Sequence, residues 1–175
     1  MLSNNILYAS GVLFYGRSLD NTLFFLLGKD VKGWSNFGGG CELSDKGDVV
    51  TTAAREAWEE SLGSIYDYDE MRRILRQNNK YIVSKTPNGY QYSTYLVKIP
   101  VSQSYREKFK STRKFLSKIN NIDKKFFEMG DISWVSLYTL KNSIDTNKPF
   151  IKLRNVFENF LLDNINDIVK YTNNQ

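Results

Sequence analysis

Residues 38–63 read GGGCELSDKGDVVTTAAREAWEESLG, in which three glycines are followed, fifteen residues after the last of them, by an arginine and three closely spaced glutamates. The charged residues of this stretch are Arg55, Glu56, Glu59 and Glu60. Carboxylates this close together on a helix repel one another, and a helix tolerates them when a cation lies among them. The stretch therefore suggests a metal site on a helix.

The spacing of these residues places their side chains together. At about 100° per residue, the arginine and the three glutamates fall within an arc of about 140° on a helical wheel. The opposite face carries mostly small or apolar residues, namely Val50, Ala54, Ala57, Trp58 and Ser61. We therefore expect one face of this helix to pack on a core and the other to present carboxylates.

Carboxylate and carbonyl oxygens are the ligands that hard divalent cations such as Mg²⁺ prefer. The glycine run allows the backbone to approach an ion or a phosphate, because no side chain stands in the way. The alternative is a solvent-exposed helix face with an ordinary i,i+4 pair between Arg55 and Glu59. The glycine run favours the metal site.

With these residues the chain resembles the Nudix hydrolases, whose signature ends in Arg-Glu-aliphatic-x-Glu-Glu-x-Gly, and the four charged positions match with their spacing intact. Residues 8–15 and 22–28 resemble the first two strands of the family, residues 34–39 its Trp-x-x-Pro-Gly-Gly segment, and residues 131–137 its closing strand. The resemblance covers about residues 6–140 and implies an α/β fold, a Nudix-type α/β/α sandwich with a mixed β-sheet between helices.

The chain departs from the family pattern around the motif. Phe37 stands where the family has proline, and the closing glycine, Gly63, comes one residue late. Counted from Asp45, nine residues instead of seven precede Arg55. The first glutamate of the signature, whose role in the family is largely structural, has three candidates here: Glu42, Asp45 and Asp48.

Composition limits the class of protein. A chain of 175 residues has the size of one domain with a real core, so we expect a single domain over residues 1–175. Apolar runs stay shorter than the roughly 20 residues of a membrane span, and residues 1–4 do not begin a signal peptide. Cys41 is the one cysteine, which fits a reducing compartment, and we expect a cytoplasmic protein without membrane contact. The lack of histidine excludes histidine-based catalysis and histidine metal ligands.

Hydrophobic periodicity and turn residues predict alternating strands and helices. Strands are expected over 6–15 and 21–28, a loop over 29–47, the motif helix from an N-cap at Asp48 to Leu62, and a short polar helix over 67–77. Then follow a hairpin with strands at 80–85 and 90–99 around Pro87-Asn88-Gly89, an amphipathic helix over 104–120, a strand near 132–136 and a covering helix over about 151–170.

The two last helices have predicted inward faces. That of the first comprises Tyr105, Phe109, Thr112, Leu116 and Ile119. That of the second comprises Leu153, Val156, Phe157, Phe160, Leu161, Ile165, Ile168 and Val169.

Residues 102–125, which we call the basic segment, hold eight Lys/Arg and two acids, a charge of +6 against +5 for the whole chain. Four of the cations lie along one stripe of the predicted helix: Arg106, Lys110, Arg113 and Lys114. One interpretation is a solvent-exposed helix face. The other is a patch that binds a polyanion such as RNA, a nucleotide tail or an inositol polyphosphate.

The resemblance implies a bound Mg²⁺ or Mn²⁺, with ligands from Glu56, Glu59, Glu60 and the Gly39 carbonyl. Such an ion neutralises the oxygens of a diphosphate and lowers the pKa of a bound water. The predicted catalytic residues are Glu59, Glu60, Arg55 as an orienting partner, and Glu128. The general base has three candidates, which are Glu60, Glu128 and Asp131.

Substrate contacts are predicted at two places. Trp34 and Phe37 could stack on a nucleobase, with core packing as the alternative for each. Arg113 and Lys114 of the basic segment are predicted to bind a charged substrate.

These observations predict a metal-dependent hydrolase of a diphosphate linkage in a nucleoside diphosphate derivative. The alternative is a catalytically silent Nudix-like module that binds nucleotide or RNA, and the intact glutamates favour the enzyme. Candidate substrates are capped RNA, which the basic segment favours, nucleoside triphosphates, dinucleotides, nucleotide sugars, coenzyme A and diphosphoinositol polyphosphates. A homodimer is common in the family and is a further expectation.

Overall fold

The structure, a computed structural model, describes residues 8–78, 80–86, 88–144 and 146–174. Residues 1–4, residues 6–7 of the predicted first strand and Pro87 of the predicted turn lie outside this part of the chain. The described strands are β1 (Tyr8–Arg17), β2 (Leu23–Lys29), β3 (Trp34–Ser35), β4 (Phe37–Gly40), β5 (Tyr81–Lys85), β6 (Gln91–Lys98) and β7 (Asp131–Ser136). The described helices are α1 (Val49–Ser61), α2 (Tyr68–Gln77), α3 (Ser104–Leu116), α4 (Leu137–Lys141) and α5 (Asn155–Asn173).

The strands form one mixed sheet in the order β3-β2-β1-β6-β5, with β4 also paired to β1 and β7 to β2. β1 runs parallel to β6, whereas its pairings with β2 and β4 are antiparallel. β1 is therefore central, and both of its faces are covered. A strand buried on both faces has a continuous apolar sequence, as in residues 12–15.

Alternate residues of β1 belong to two different cores. Val12 and Phe14 pack in a cluster with residues of α1, α2 and α3, whereas Leu13 and Tyr15 pack in a second cluster with residues of α5. The sheet therefore lies between two helical layers. This arrangement confirms the predicted α/β fold with a mixed sheet between helices.

The motif helix begins and ends close to the predicted positions. Asp48 is its N-cap, and its side chain accepts a hydrogen bond from the Val50 N–H. At the other end Leu62 takes a left-handed conformation with φ 54°, and the Gly63 N–H bonds to the Trp58 carbonyl. Because the closing glycine of the motif comes one residue late, Leu62 takes the first of two left-handed positions at the end of the helix, and Gly63 takes the second.

Several predicted details are wrong. The predicted loop over 29–47 contains β3, which pairs with β2, and β4, in which the glycine run pairs with β1. The helix predicted over 104–120 ends at Leu116, and Ile119 is exposed rather than inward. In the last helix Val156, which was predicted to face inward, is also exposed. The helix α4 was not predicted, because its five residues are too few to show a hydrophobic period.

Candidate active site

The glycine run lies directly against the acidic face of α1. Pairing of β4 with β1 brings Gly38 and Gly39 beside the helix, where the Gly38 N–H donates a hydrogen bond to Glu60 Oε2 at 2.7 Å. A Cβ atom on Gly39 would lie only 2.6–2.8 Å from the carboxylate atoms of Glu56. Glycine at this position therefore lets the backbone approach the Glu56 carboxylate, whereas the predicted approach to an ion or a phosphate stays a prediction.

Arg55 connects the loop to the helix and is itself buried. Its guanidinium donates to Glu56 Oε1 at 2.9 Å, to Glu59 Oε2 at 3.3 Å and to the Gly40 carbonyl at 2.9 Å. Burial lowers the pKa of Arg55. Hydrogen bonds to Asp45 and the charges of Glu56 and Asp45 raise it by more than burial lowers it, so the pKa lies above its ordinary value. Arg55 therefore stays charged and holds two of the three glutamates in orientation.

Of the three acids that are candidates for the first glutamate of the motif, Asp45 makes the closest contacts with Arg55. Both of its oxygens accept hydrogen bonds from Arg55, at 3.0 and 2.9 Å, and it also accepts from the Thr52 hydroxyl and the Glu42 N–H. Burial raises the pKa of Asp45, yet the Arg55 hydrogen bond and the other donors hold it below the ordinary value. Asp48 caps the helix instead, and the Glu42 side chain is about half exposed.

A second loop completes the site from the other side. The 3₁₀ turn at residues 124–127 brings the Lys125 ammonium to 2.6 Å from Glu59 Oε1, and Glu128 follows it directly. Together these groups surround a cavity of about 290 Å³. Its walls comprise Gly38, Gly39, Gly40, Glu42, Arg55, Glu56, Glu59, Glu60, Lys125, Glu128 and Arg154.

Two carboxyl groups of this cavity have pKa values above their ordinary values. Burial is the main cause that raises the pKa of Glu56 to about 7, and the charges of Glu59 and Glu128 add to it. Burial raises the pKa of Glu60 well above its ordinary value, again reinforced by Glu56 and Glu128. Both groups would release their protons more readily if a cation were bound beside them.

The donor set fits a divalent cation. Among the described residues, five carboxylates and three cationic side chains line the cavity, so full ionisation leaves two negative charges. Oxygen ligands in a cavity with a net charge of −2 suit the divalent cations Mg²⁺ and Mn²⁺. Within the described part of the chain, no group of three or more acidic or cysteine side chains is already gathered closely enough to hold a metal. Arg55 and Lys125 each bind one oxygen of Glu59 in the arrangement observed.

A larger cavity adjoins the first. It measures about 570 Å³ and shares four wall residues with the acidic cavity: Gly38, Gly39, Gly40 and Arg154. Its floor is the sheet, with Ser84, Tyr92 and Thr94, and its roof is the first half of α5. The glycine run thus forms the boundary between an acidic cavity and a roomier, less charged one.

The structure brings most of the predicted metal and catalytic residues together, but two predicted substrate contacts lie elsewhere. Phe37 is fully buried and packs edge-on against Phe14 in the core, so it is not available to stack on a base. Trp34 packs against the α5-side core with the Lys29 ammonium over its ring, outside both cavities. The alternative of core packing applies to Phe37, whereas Trp34 is only partly buried at the edge of the core.

The predicted role of the basic segment also changes. Arg113 donates to the Met129 carbonyl at 2.8 Å and lies over the Phe127 ring, so it holds the loop that carries Glu128. Lys114 is exposed but lies outside both cavities. Asp131, a candidate general base, forms a two-pronged ion pair with Arg106, which lowers its pKa and leaves it a poor proton acceptor.

Two residues that line the acidic cavity were not among the predicted site residues. Lys125 reaches the acidic cavity from a loop 65 residues beyond Glu60, and Arg154 reaches it from the start of α5. Neither belongs to a motif with fixed spacing. Lys125 is one of eight cations in the basic segment, and only the position of the 3₁₀ turn distinguishes it from the others.

Comparison with known proteins gives matches among solved structures. No family model matches the chain, and no curated protein matches it. The chain is similar to an Ap4A hydrolase from C. elegans, with 14% identity and a TM-score of 0.38 over 63% of this chain and 99% of that one. It is also similar to RenU, a Nudix hydrolase from M. smegmatis, with 12% identity and a TM-score of 0.36 over 64% of this chain and 87% of that one. The chemistry of the site rests on its own geometry.

Proposed function

We propose that the chain is a metal-dependent hydrolase that cleaves a phosphoric anhydride bond in a nucleoside diphosphate derivative. The observation that carries this proposal is the acidic cavity, which Glu56, Glu59, Glu60 and Glu128 line together with the glycine run. A silent binding module would have no need for four carboxylates in a site where burial raises the pKa of two of them. Such charge is useful when a cation must be bound and a proton accepted.

Each residue has a role in this proposal. Glu56, Glu59, Glu60 and the Gly39 carbonyl would hold Mg²⁺ or Mn²⁺, which supplies charge neutralisation of the diphosphate and a more acidic water. Arg55 orients Glu56 and Glu59 through the hydrogen bonds described above. Glu128 would accept the proton of the attacking water, because it lines the cavity and Asp131 is paired with Arg106. Glu60 is the alternative base.

The first experiment tests the reaction class. Purified protein is incubated with Mg²⁺ or Mn²⁺ and a panel of dinucleotides, nucleotide sugars, coenzyme A, nucleoside triphosphates, capped RNA and diphosphoinositol polyphosphates, and the phosphorylated products of each substrate are separated and measured by chromatography. We expect hydrolysis of at least one substrate, and its loss in Glu59→Gln/Glu60→Gln. Glu107→Gln, an exposed acid on α3, is the matched control and should retain activity. Equal inactivity of the wild type and the double variant across the panel would contradict the proposal.

A second experiment identifies the general base. Glu128→Gln should lower kcat by about 10²- to 10⁴-fold, the usual contribution of a general base, with little change in metal affinity. Asp131→Asn should lower kcat by no more than about 10-fold, because the Asp131 carboxylate serves the ion pair with Arg106, which anchors the loop, and not proton transfer. If Asp131→Asn gave the larger loss, the assignment of the base would be reversed. If neither mattered, Glu60 would be the base.

Capped RNA is one substrate candidate within this proposal. The basic segment supports it through cations that stay exposed, among them Lys108, Lys110 and Lys114. Homodimer formation and a cytoplasmic location stay predictions. Within the described residues, none of the helices combines the length and the apolar character that crossing a membrane requires.

A further inference from the structure

We propose that the 570 Å³ cavity under α5 binds the nucleoside part of the substrate, and that Arg154 binds the phosphate between this cavity and the acidic one. This inference rests on the proposed function, because it assigns the two ends of the same substrate. It assigns substrate contacts at the two cavities, which Trp34, Phe37, Arg113 and Lys114 do not line.

The position of the cavity supports the inference. It shares Gly38, Gly39, Gly40 and Arg154 with the acidic cavity. The two cavities therefore adjoin, and one ligand can extend from one into the other. Its volume is within the range of about 300–1,000 Å³ that is usual for small-molecule sites. A diphosphate held at the acidic end would therefore have room for its organic substituent beyond the glycine run.

The walls of the cavity suit an aromatic base and a sugar. Val156, exposed at the start of α5, supplies apolar surface to the cavity, which is also lined by Phe157 and Phe160 of the α5-side core. Amide groups stand at the edges, from Asn36, whose side chain donates to the Tyr92 hydroxyl, and from Asn159 on α5. An apolar wall with amides around it provides both packing and hydrogen bonding for a heterocycle.

The charge of the cavity argues against a polyanion. Its described walls contain two cations, Lys85 and Arg154, and one acid, Asp163. An inositol polyphosphate carries many charges and would need several more cations to offset its desolvation. The same walls can accept a neutral nucleoside with one phosphate at Arg154.

Arg154 is held in place at the boundary of the two cavities. Its backbone N–H donates to the Trp34 carbonyl at 2.9 Å, and its guanidinium lies 3.6 Å from Asp30 Oδ2. This ion pair engages one side of the guanidinium at a longer distance than a hydrogen bond. A planar group with five donors can therefore bind phosphate oxygens without leaving Asp30.

The test uses ligands that do not require hydrolysis. Binding of the four nucleoside 5′-monophosphates, of ribose 5-phosphate and of inorganic phosphate to the full chain is measured by calorimetry. We expect the best nucleoside monophosphate to bind at least about 10-fold tighter than ribose 5-phosphate, because the base fills the cavity. Equal affinity for the two would overturn the nucleoside assignment.

Two matched pairs of variants locate the site. Asn159→Trp fills the cavity from an exposed helix position and should weaken monophosphate binding at least about 10-fold, whereas Asn166→Trp, also exposed on α5 but outside the cavity, should not change it. Arg154→Gln should weaken binding similarly, with partial recovery in Arg154→Lys, whereas the exposed Arg73→Gln should have no effect. Thermal unfolding of each variant checks that the fold is intact. Equal effects within either pair would overturn the assignment.

The outcome separates this inference from the proposed function. If Glu60-dependent hydrolysis is observed but Asn159→Trp changes neither KM nor monophosphate binding, the cavity assignment fails and the reaction class stands. If monophosphates bind and depend on Asn159 and Arg154 while no substrate is hydrolysed, the cavity assignment stands and the hydrolase proposal fails.

Discussion

Arg55 is the residue around which the acidic site is organised. It binds Asp45 on one side and Glu56 and Glu59 on the other, so the loop acid and the helix acids are fixed by the same guanidinium. The motif residue Arg55 and the loop residue Asp45 are both buried. A buried ion pair costs desolvation, which several hydrogen bonds to each partner must offset.

Replacement of Asp45 therefore has a predicted cost for stability. Asp45→Asn should lower the free energy of unfolding by about 3 kcal/mol, because the buried Arg55 loses its charged partner. Glu42→Gln, at a half-exposed carboxylate 3.4 Å from Arg55, should cost less than about 0.5 kcal/mol. Urea unfolding with a chelator present measures both. Similar losses would show that Asp45 is not the structural acid of the motif.

Metal affinity should depend on pH through Glu56. Its pKa of about 7 means that below this pH the metal-free carboxyl keeps its proton, and the proton must leave before the oxygen can bind a cation. Affinity for Mn²⁺ should therefore rise with pH, by about 10-fold or more between pH 6 and pH 8. Calorimetry in two buffers of different ionisation enthalpy should also detect protons released on binding at pH 6.5.

The control for this prediction is Glu56→Gln, which should bind Mn²⁺ more weakly and release fewer protons. A rise in Mn²⁺ affinity between pH 6 and pH 8 requires a raised pKa, because a carboxyl with an ordinary pKa near 4.5 would be ionised throughout this pH range. Affinity that is unchanged between pH 6 and pH 8 would contradict the assignment of Glu56 as a ligand.

At the scale of elements, α3 positions the loop that carries Lys125 and Glu128. Arg106 binds Asp131 at the start of β7, and Arg113 binds the Met129 carbonyl two turns later on the helix. Between these two anchors lies Phe109, fully buried in the core. Half of the cationic stripe predicted on α3 therefore serves the structure of the protein.

Arg113 should accordingly affect catalysis without contact with substrate. Arg113→Gln should lower kcat on a small diphosphate substrate by about 10-fold, because a small displacement of Glu128 misplaces a catalytic group. Lys114→Gln, its exposed neighbour, should leave kcat unchanged. Steady-state kinetics at two salt concentrations measure this effect, which should not depend on salt. A loss that appears only at low salt would instead indicate electrostatic binding of substrate by Arg113.

At the scale of the whole molecule, two surfaces compete for the role of substrate site. The basic helix α3 packs on the core shared with α1, whereas the cavity under α5 lies on the opposite face of the sheet. A small nucleotide would use the cavity, and a long polyanion could also follow α3. The acidic site is common to both routes.

Charge reversal on α3 distinguishes the two routes. Lys110→Glu/Lys114→Glu, at two exposed cations, should leave the hydrolysis of small nucleotides unchanged. If capped RNA is a substrate, the same variant should weaken activity on long capped RNA far more than on free cap analogue, and added salt should do likewise. Equal effects on long RNA and cap analogue would remove the argument for RNA. Arg113 is unsuitable for this test because it holds the Glu128 loop.

Much of the fold and part of the site could be predicted from local patterns. The motif helix, its N-cap at Asp48 and the hairpin strands follow from periodicity and turn residues that neighbours in sequence determine. The shared face of Glu56, Glu59 and Glu60 follows from helix geometry alone. The brief α4 and the pairing of the glycine run with β1 were missed, because neither leaves a period long enough to detect.

The sequence by itself determined the acidic helix face, the glycine run and the alternation of strands and helices, because these depend on residues close together in the chain. Only the tertiary structure decided that Asp45 pairs with Arg55, that Phe37 belongs to the core, and that Arg113 is a structural anchor. It also placed Lys125, Glu128 and Arg154 at the glycine run. The burial and partners of these residues depend on how separate elements pack, which the spacing of residues along the chain does not encode.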